Sequence, residues 1–338
     1  MTLRLGIMSF AHLHAEGYIR NLRANPEIEL IGIADDNLER GHHFAQQYNA
    51  HLFDSYEALL AEQPDGVVIC TENAHHRPVV ELAAEAGAHV LSEKPLATTL
   101  DDARAMIDAC ERHGVQLMTA FPMRFNAPVI EAKRVLESGA LGRLYGANTT
   151  NQGKLPRYHS AYPRDWFEQK ALAGGGAAMD HTVHLVDLLR WFLGCEVIEV
   201  YAQLNAILYR DAGVDVETGG LVMLTFEDGT FASVDCSWSK PPSYPTWGGL
   251  TMELVGETGL LTVDAFKQTS AVYGPAERAK WPFWGSDSNQ AMVDEFVAAI
   301  RENRSPAITG YDGYKALEVA LAVYESAERG EPVRLPLA

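Results

Sequence analysis

The chain has 338 residues, more than one hydrophobic core usually serves, so two domains are expected. Its composition is that of a globular protein, 47% hydrophobic and 21% charged with no low-complexity stretch. A net charge of −18 and a pI near 5.0 argue against a nucleic-acid or anionic membrane surface as partner, since neither attracts an acidic body. The four cysteines, Cys70, Cys110, Cys195 and Cys236, form no Cys-x-x-Cys pair and read as free thiols of a reducing compartment. The first residues enter a strand pattern directly, without a basic-then-apolar leader, and no stretch reaches the roughly 18 apolar residues of a membrane helix. A cytoplasmic protein is expected.

In chain order, residues 1 to about 120 alternate short apolar runs with amphipathic stretches. The runs lie at 3–8, 29–34, 66–70, 89–91 and 115–120, with helix-like text at 78–86 and 100–113. Short apolar strands alternating with helices predict a parallel sheet covered on both faces, a Rossmann-type doubly wound domain. Beyond about 125 the rhythm changes. A helix at 127–138 leads to a strand at 144–151, an irregular stretch, and a strong helix at 180–193. From 197 to 273 the text is strand-like and punctuated by Glu227-Asp228-Gly229, Gly248-Gly249 and Glu257-Thr258-Gly259. Long strands joined by tight turns predict a large open, mostly antiparallel sheet. Helices at 289–303 and 311–328 close the chain. The expectation is an α/β protein with domains at 1–122 and 123–338, the last helices free to pack back on the first domain.

The first βα turn reads Gly6-Ile7-Met8-Ser9-Phe10-Ala11-His12-Leu13-His14. A dinucleotide site needs small residues at such a turn, so that amides and a helix N-terminus can approach a pyrophosphate. Here Gly6 is read as the first glycine of the pattern, with Ser9 and Ala11 as small substitutes. Asp35 closes the run Leu30-Ile31-Gly32-Ile33-Ala34, where a carboxylate accepts from the adenosine ribose hydroxyls. No arginine follows it immediately to receive a 2′-phosphate, which favours NAD over NADP.

Ser92-Glu93-Lys94-Pro95-Leu96 follows the run at 89–91, and Gly174-Gly175-Gly176-Ala177-Ala178-Met179-Asp180 precedes His184-Leu185-Val186-Asp187. With Val68-Ile69-Cys70-Thr71-Glu72-Asn73, His75-His76, Arg124-Phe125 and Leu141-Gly142, these stretches resemble the glucose–fructose oxidoreductase/inositol dehydrogenase (Gfo/Idh/MocA) family along nearly the whole chain. The resemblance implies a nicotinamide cofactor lying across a domain cleft and a C-terminal sheet used in oligomer contacts, as a homodimer or homotetramer. It also implies that Lys94, Asp180 and His184 act on a substrate hydroxyl. The chemistry agrees. Hydride departure from a carbinol carbon needs a base beside the oxygen, a role open to His184, and an ammonium such as Lys94 orients the hydroxyl and stabilises alkoxide character. Asp180 and His184, four apart, share a helix face, while Asp187 reads as a deeper structural partner. The glycine run lets backbone pass close to a ligand. Residues expected at the cofactor are Gly6, Ser9, Phe10, Ala11, His12, Asp35, Thr71, Asn73, His76, Glu93 and Lys94. Those expected at the substrate are Lys94, Arg124, Trp166, Asp180, His181 and His184.

His12 and His14 in the turn and His181 beside the catalytic pair are additional histidines. Asp180, His181 and His184 offer carboxylate and imidazole donors within one helical turn, suited to Zn²⁺ or Mn²⁺, but His181 falls on the flank of the Asp180/His184 face and no metal is expected. Among Tyr158, Tyr162, Trp166, Trp281 and Trp284, Trp166 is the residue favoured to stack on a sugar. The leading function is an NAD-dependent dehydrogenase for a sugar, inositol or related polyhydroxy compound. Two alternatives stand beside it. One is a redox-neutral lyase or hydrolase that holds its NAD tightly, with or without a metal at the histidines. The other is an NAD-binding regulator without turnover.

Overall fold

The computed structural model describes residues 2–158, 162–268 and 285–337. Two compact units emerge, one of Met1–Pro122, Ala171–Gly174 and Asn289–Leu317, the other of Met123–Lys170, Gly175–Ser288 and Glu318–Ala338.

The first unit opens with β1 (Leu3–Met8), α1 (Ala15–Ala24), β2 (Ile28–Ala34), α2 (Leu38–Tyr48), β3 (Leu52–Phe53) and α3 (Tyr56–Ala61). It continues with β4 (Gly66–Ile69), α4 (His76–Glu85), β5 (His89–Ser92), α5 (Leu100–His113) and β6 (Leu117–Thr119). All six strands pair in parallel, in the order β3-β2-β1-β4-β5-β6. The order reverses between β1 and β4, and in such sheets ligands bind beyond the strands' carboxyl ends at that point. Local chemistry sets the helix limits. Thr99 caps α5 by accepting from the Asp102 amide at 3.1 Å, Asp101 and Asp102 complement its positive end, and Gly114 (φ 66°) closes it in the left-handed region. The central strands are apolar at their hearts: Leu5, Ile7, Val67, Val68, Val90 and Leu91 are fully buried, as parallel strands covered on both faces must be.

The second unit carries α6 (Ala127–Glu137), β7 (Leu144–Gly153) and α8 (Ala177–Leu193), while the short α7 (Lys170–Ala173) falls almost wholly in the first. Strands β8 (Val197–Asn205), β9 (Gly219–Phe226), β10 (Phe231–Ser237), β11 (Gly248–Gly256) and β12 (Leu260–Asp264) follow. Helix α9 (Ser288–Glu302), from Asn289 on, and the first part of α10 (Gly310–Arg329) belong to the first unit, and the rest of α10 and strand β13 (Val333–Arg334) end the chain in the second. The second sheet runs β12-β11-β7-β10-β9-β8-β13 and is antiparallel except for β7 with β10. Its strands alternate: Val222, Leu224 and Phe226 of β9 and Ala232, Val234 and Cys236 of β10 are buried, while Leu221, Met223 and Phe231 face outward and are exposed. Helix α8 packs over β7, β9 and β10 and covers the inner face. All four cysteines are free, and only Cys195 is not buried. Among the described residues no helix is long and apolar enough to cross a membrane.

Candidate active site

The dinucleotide turn lies three residues beyond the position read in the sequence. Gly6 is inside β1, in register with Gly32, and a Cβ there would meet Leu59 at 2.8 Å, so its role is close packing and not cofactor contact. The turn proper is Ser9–Leu13, and His14 caps α1. Ser9 holds φ 75°, the left-handed conformation that normally selects glycine, as the tight first position of a phosphate-binding turn demands. Ala11 fills the second small position. The Ala11 amide donates to Ser9 Oγ at 3.1 Å and the His14 amide to His12 Nδ1 at 3.2 Å, so side chains now occupy amides that an anion could take. Phe10 is fully buried and stacks on Phe44 at 4.7 Å, so its amide alone faces the site, donating to Asp35 Oδ2 at 2.7 Å.

Asp35 stands just beyond β2, 2% exposed. Arg40, one turn into α2, reaches back to it, with Nε 3.0 Å from each carboxylate oxygen. Burial pushes the Asp35 carboxyl up, and the guanidinium pulls against that rise.

At the end of β5, Glu93 is 1% exposed and saturated. Tyr18 donates to Oε1 at 2.5 Å, His14 Nδ1 lies 2.9 Å from the same oxygen, His12 Nδ1 lies 3.8 Å from it, and the Lys94 amide donates to Oε2 at 3.1 Å. Burial alone would raise this acid, but His12, His14 and Lys94 hold it well below the usual carboxylate range. Burial and the Glu93 charge push the Tyr18 phenol well up. Glu93 is thus a positioning residue that ties the dinucleotide turn to Lys94, which is itself buried. His12, His14 and Glu93 bring donor atoms within 4.8 Å of one another. His76, expected at the cofactor, is wholly buried with Nδ1 3.1 Å from the Leu96 carbonyl, and so braces the Glu-Lys-Pro segment. Asn73 spends its amide on the Ala173 carbonyl at 2.8 Å. Buried Thr71 Oγ1 and Asn73 Oδ1 find no hydrogen-bond partner among the described residues.

These features fit a dinucleotide: a β1–α1 turn with a left-handed first residue, a carboxylate beyond β2, and unsatisfied polar atoms after β4.

In the second unit, α8 begins at Gly176, whose added Cβ would lie 2.0 Å from the Glu217 carbonyl oxygen; only glycine permits that approach. Glu217 Oε1 accepts from the Gly176 and Ala178 amides at 2.8 and 2.9 Å and from Tyr324 at 2.8 Å, replacing a side-chain N-cap. Asp180, one turn in, accepts from Trp238 Nε1 at 3.2 Å, and His181 Nε2 lies 3.2 Å from the same oxygen. His184 is buried one turn further. Asp180, His181 and His184 do not converge as a metal-ligand group among the described residues.

Two substrate expectations change. Arg124 is committed to Asp187 through a fork of Nε–Oδ2 at 2.8 Å and Nη2–Oδ1 at 2.6 Å, both partners buried, so it anchors α8 and does not present itself to a ligand. Trp166 is buried and stacked on Phe167 at 3.9 Å, a core contact and not an open stacking surface. Tyr158 is exposed, Tyr162 is partly so, and Trp281 and Trp284 lie outside the described residues. Sequence reasoning passed over Arg40, Tyr18, Glu217 and Trp238. Tyr18, four residues after His14, shares its helix face and could have been found by spacing; Trp238 approaches from a distant strand and left no local signal.

Comparison with known proteins agrees with this geometry. Residues 5–121 match the oxidoreductase family with an NAD-binding Rossmann fold, and residues 129–262 match the GFO/IDH/MocA C-terminal domain. The chain is 30% identical to the D-apiose dehydrogenase of Paraburkholderia graminis, over 98% of this chain and 88% of that protein. It is also 30% identical to D-xylose 1-dehydrogenase (NADP(+)) 2 of Haloferax volcanii, over 98% and 100%. Among solved structures, GenD2 from gentamicin A biosynthesis, in complex with NAD, superposes with a TM-score of 0.88 at 26% identity, covering 99% of this chain and 97% of that one. A Rossmann sheet of this order, with Lys94 anchored by Glu93 just beyond β5 and followed by the matching C-terminal sheet, places the chain in the GFO/IDH/MocA family of NAD-binding oxidoreductases.

Proposed function

We propose that the protein is an NAD-dependent dehydrogenase acting on a carbinol carbon of a sugar, inositol or related polyhydroxy compound. The observation that carries the reading is the buried Glu93 network, which binds the dinucleotide turn and the Lys94 backbone to one carboxylate. Ser9, Ala11 and the α1 N-terminus would hold the pyrophosphate, Asp35 the adenosine ribose, and Thr71 and Asn73 further polar groups of the cofactor. Bound NAD supplies the hydride acceptor. In this reading the Lys94 ammonium orients the hydroxyl and stabilises negative charge on its oxygen, and His184 removes its proton. Asp180, steadied by Trp238 and His181, holds the substrate. NAD is preferred over NADP because Asp35, Asp36 and Glu72 place carboxylates at the ribose end. We also place the protein in the cytoplasm, as a homodimer or homotetramer that buries the outer face of the second sheet, where Leu221, Met223 and Phe231 stand exposed.

Purified protein incubated with NAD and a panel of sugars, polyols and glycosides, followed by absorbance and product mass, tests the activity. On the substrate so identified, Lys94→Ala leaves NAD affinity within a few-fold and lowers turnover by about 10²–10⁴. Near-normal turnover in that variant would refute the mechanism.

A further inference from the structure

The structure assigns to Arg40 a role beyond the one given to Asp35. We propose that Arg40 is a latent receptor for a 2′-phosphate, kept from that role by Asp35, so that the pair and not the carboxylate alone sets cofactor choice. The inference rests on the dinucleotide reading above.

The guanidinium is buried against the first residue of the turn and the end of β2. Its Nη2 lies 2.8 Å from Asp35 Oδ1, 2.8 Å from Asp36 Oδ1 and 3.1 Å from Ser9 Oγ, and Nη1 lies 3.3 Å from Glu72 Oε1. Three carboxylates thus converge on one cation. This is where an adenosine ribose places its 2′ oxygen, and where an arginine serves when that oxygen carries phosphate. A planar fork of donors suits a phosphate as well as a carboxylate. In the parent chain the fork is taken by Asp35, and the excess negative charge opposes a phosphate. Replacing Asp35 by serine removes the acceptor that takes the Nε/Nη2 fork, leaves Ser9, Asp36 and Glu72 on the guanidinium, and introduces no new cation. The cation needed for NADP is therefore already present.

The test is calorimetric titration of the full chain with NAD and NADP, and separately with 5′-AMP and 2′,5′-ADP, which probe the adenosine end without the nicotinamide. Four proteins are compared: parent, Arg40→Met, Asp35→Ser and the double variant. The parent prefers NAD by about tenfold or more, and Arg40→Met weakens NADP about fivefold or more while changing NAD less than about threefold. Asp35→Ser shifts the NADP:NAD affinity ratio toward NADP by about a hundredfold, and the double variant loses at least about tenfold of that gain. The 2′,5′-ADP:5′-AMP ratio follows the same order. An unchanged ratio in Asp35→Ser, or a double variant that keeps the gain, overturns the proposal. Should Asp35→Ser fail to fold, Arg40→Met alone decides, since an unchanged or improved affinity for 2′,5′-ADP is incompatible with a phosphate-receiving guanidinium. Loss of dehydrogenase activity with these ratios intact would instead count against the proposed function.

Discussion

Severing the Arg124–Asp187 fork should destabilise the protein strongly, and joining the two losses should restore it. Both side chains are buried, 9% and 1% exposed, and two charge-assisted bonds at 2.6 and 2.8 Å join them. The guanidinium also lies over Trp191 at 5.8 Å. Removing one member of a buried pair costs about 3–5 kcal/mol, because the other charge is left without its counterion. At about 2–4 °C per kcal/mol for a unit of this size, Asp187→Leu lowers the melting temperature by roughly 6–20 °C. Arg124→Met costs less, since a stranded carboxyl can take up a proton whereas a guanidinium cannot lose one. The double variant Arg124→Met/Asp187→Leu replaces charge by apolar volume and returns to within about 2 kcal/mol of the parent. Thermal and urea unfolding of the four proteins measure this cycle. Singles that lose less than about 1 kcal/mol, or a double variant no better than their sum, would refute the structural role. Substrate kinetics complete the test: a double variant that is stable but loses kcat/KM tenfold would return Arg124 to the substrate.

The remaining expectations are independent of that pair. Lys94→Ala and His184→Ala lose turnover less than additively when combined, provided both serve one hydroxyl; steady-state kinetics of the double variant read the coupling. Burial lowers the His76 pKa from its ordinary value, so the native state holds fewer protons than the unfolded chain below about pH 6.5. Stability is therefore full above that pH and falls as pH drops toward the lowered value; melting temperatures between pH 7.5 and 5 show the decline, and a His76→Asn variant flattens His76's share of it. Gly176→Ala forces a Cβ against the Glu217 carbonyl and destabilises by about 1–3 kcal/mol or more, measured by urea unfolding; an unchanged midpoint would contradict the close approach. Phe231→Glu, on the exposed face of the second sheet, shifts a multimer toward monomer in light scattering if that face is the subunit contact.

Much of this fold was legible because hydrophobic period reports burial directly. The runs at 3–8, 66–70 and 89–91 emerge as β1, β4 and β5, and 100–113 as α5 to the residue, because Thr99 and Gly114 mark both ends. The two-residue β3 left no period to detect, and the parallel β7/β10 pairing is a matter of closure that no local pattern encodes. In the site, Asp35 and Lys94 were found at strand ends, where chain direction fixes position. The turn was misplaced because Gly6 was the only glycine available, while the residue that adopts the glycine conformation is Ser9. Arg124 looked available because Asp187 is 63 residues away, and only the folded chain shows them joined.

The composition of the first unit bears on its synthesis. Segment Asn289–Leu317 belongs to it, and α9 buries Met292, Val293, Phe296 and Val297 there, with Phe296 closing over the β4 backbone at Gly66. Asn25 donates to Asp294 at 2.7 Å, and Gln116 donates to the Ala299 and Arg304 carbonyls at 3.1 and 2.7 Å. None of these partners exists when the first 122 residues leave the ribosome. The parallel sheet must wait, one flank bare, until well over a hundred further residues have been translated, so the nascent chain carries an apolar surface through most of elongation. Its hazard is greatest during translation, and a truncation before residue 289 would leave that state permanent.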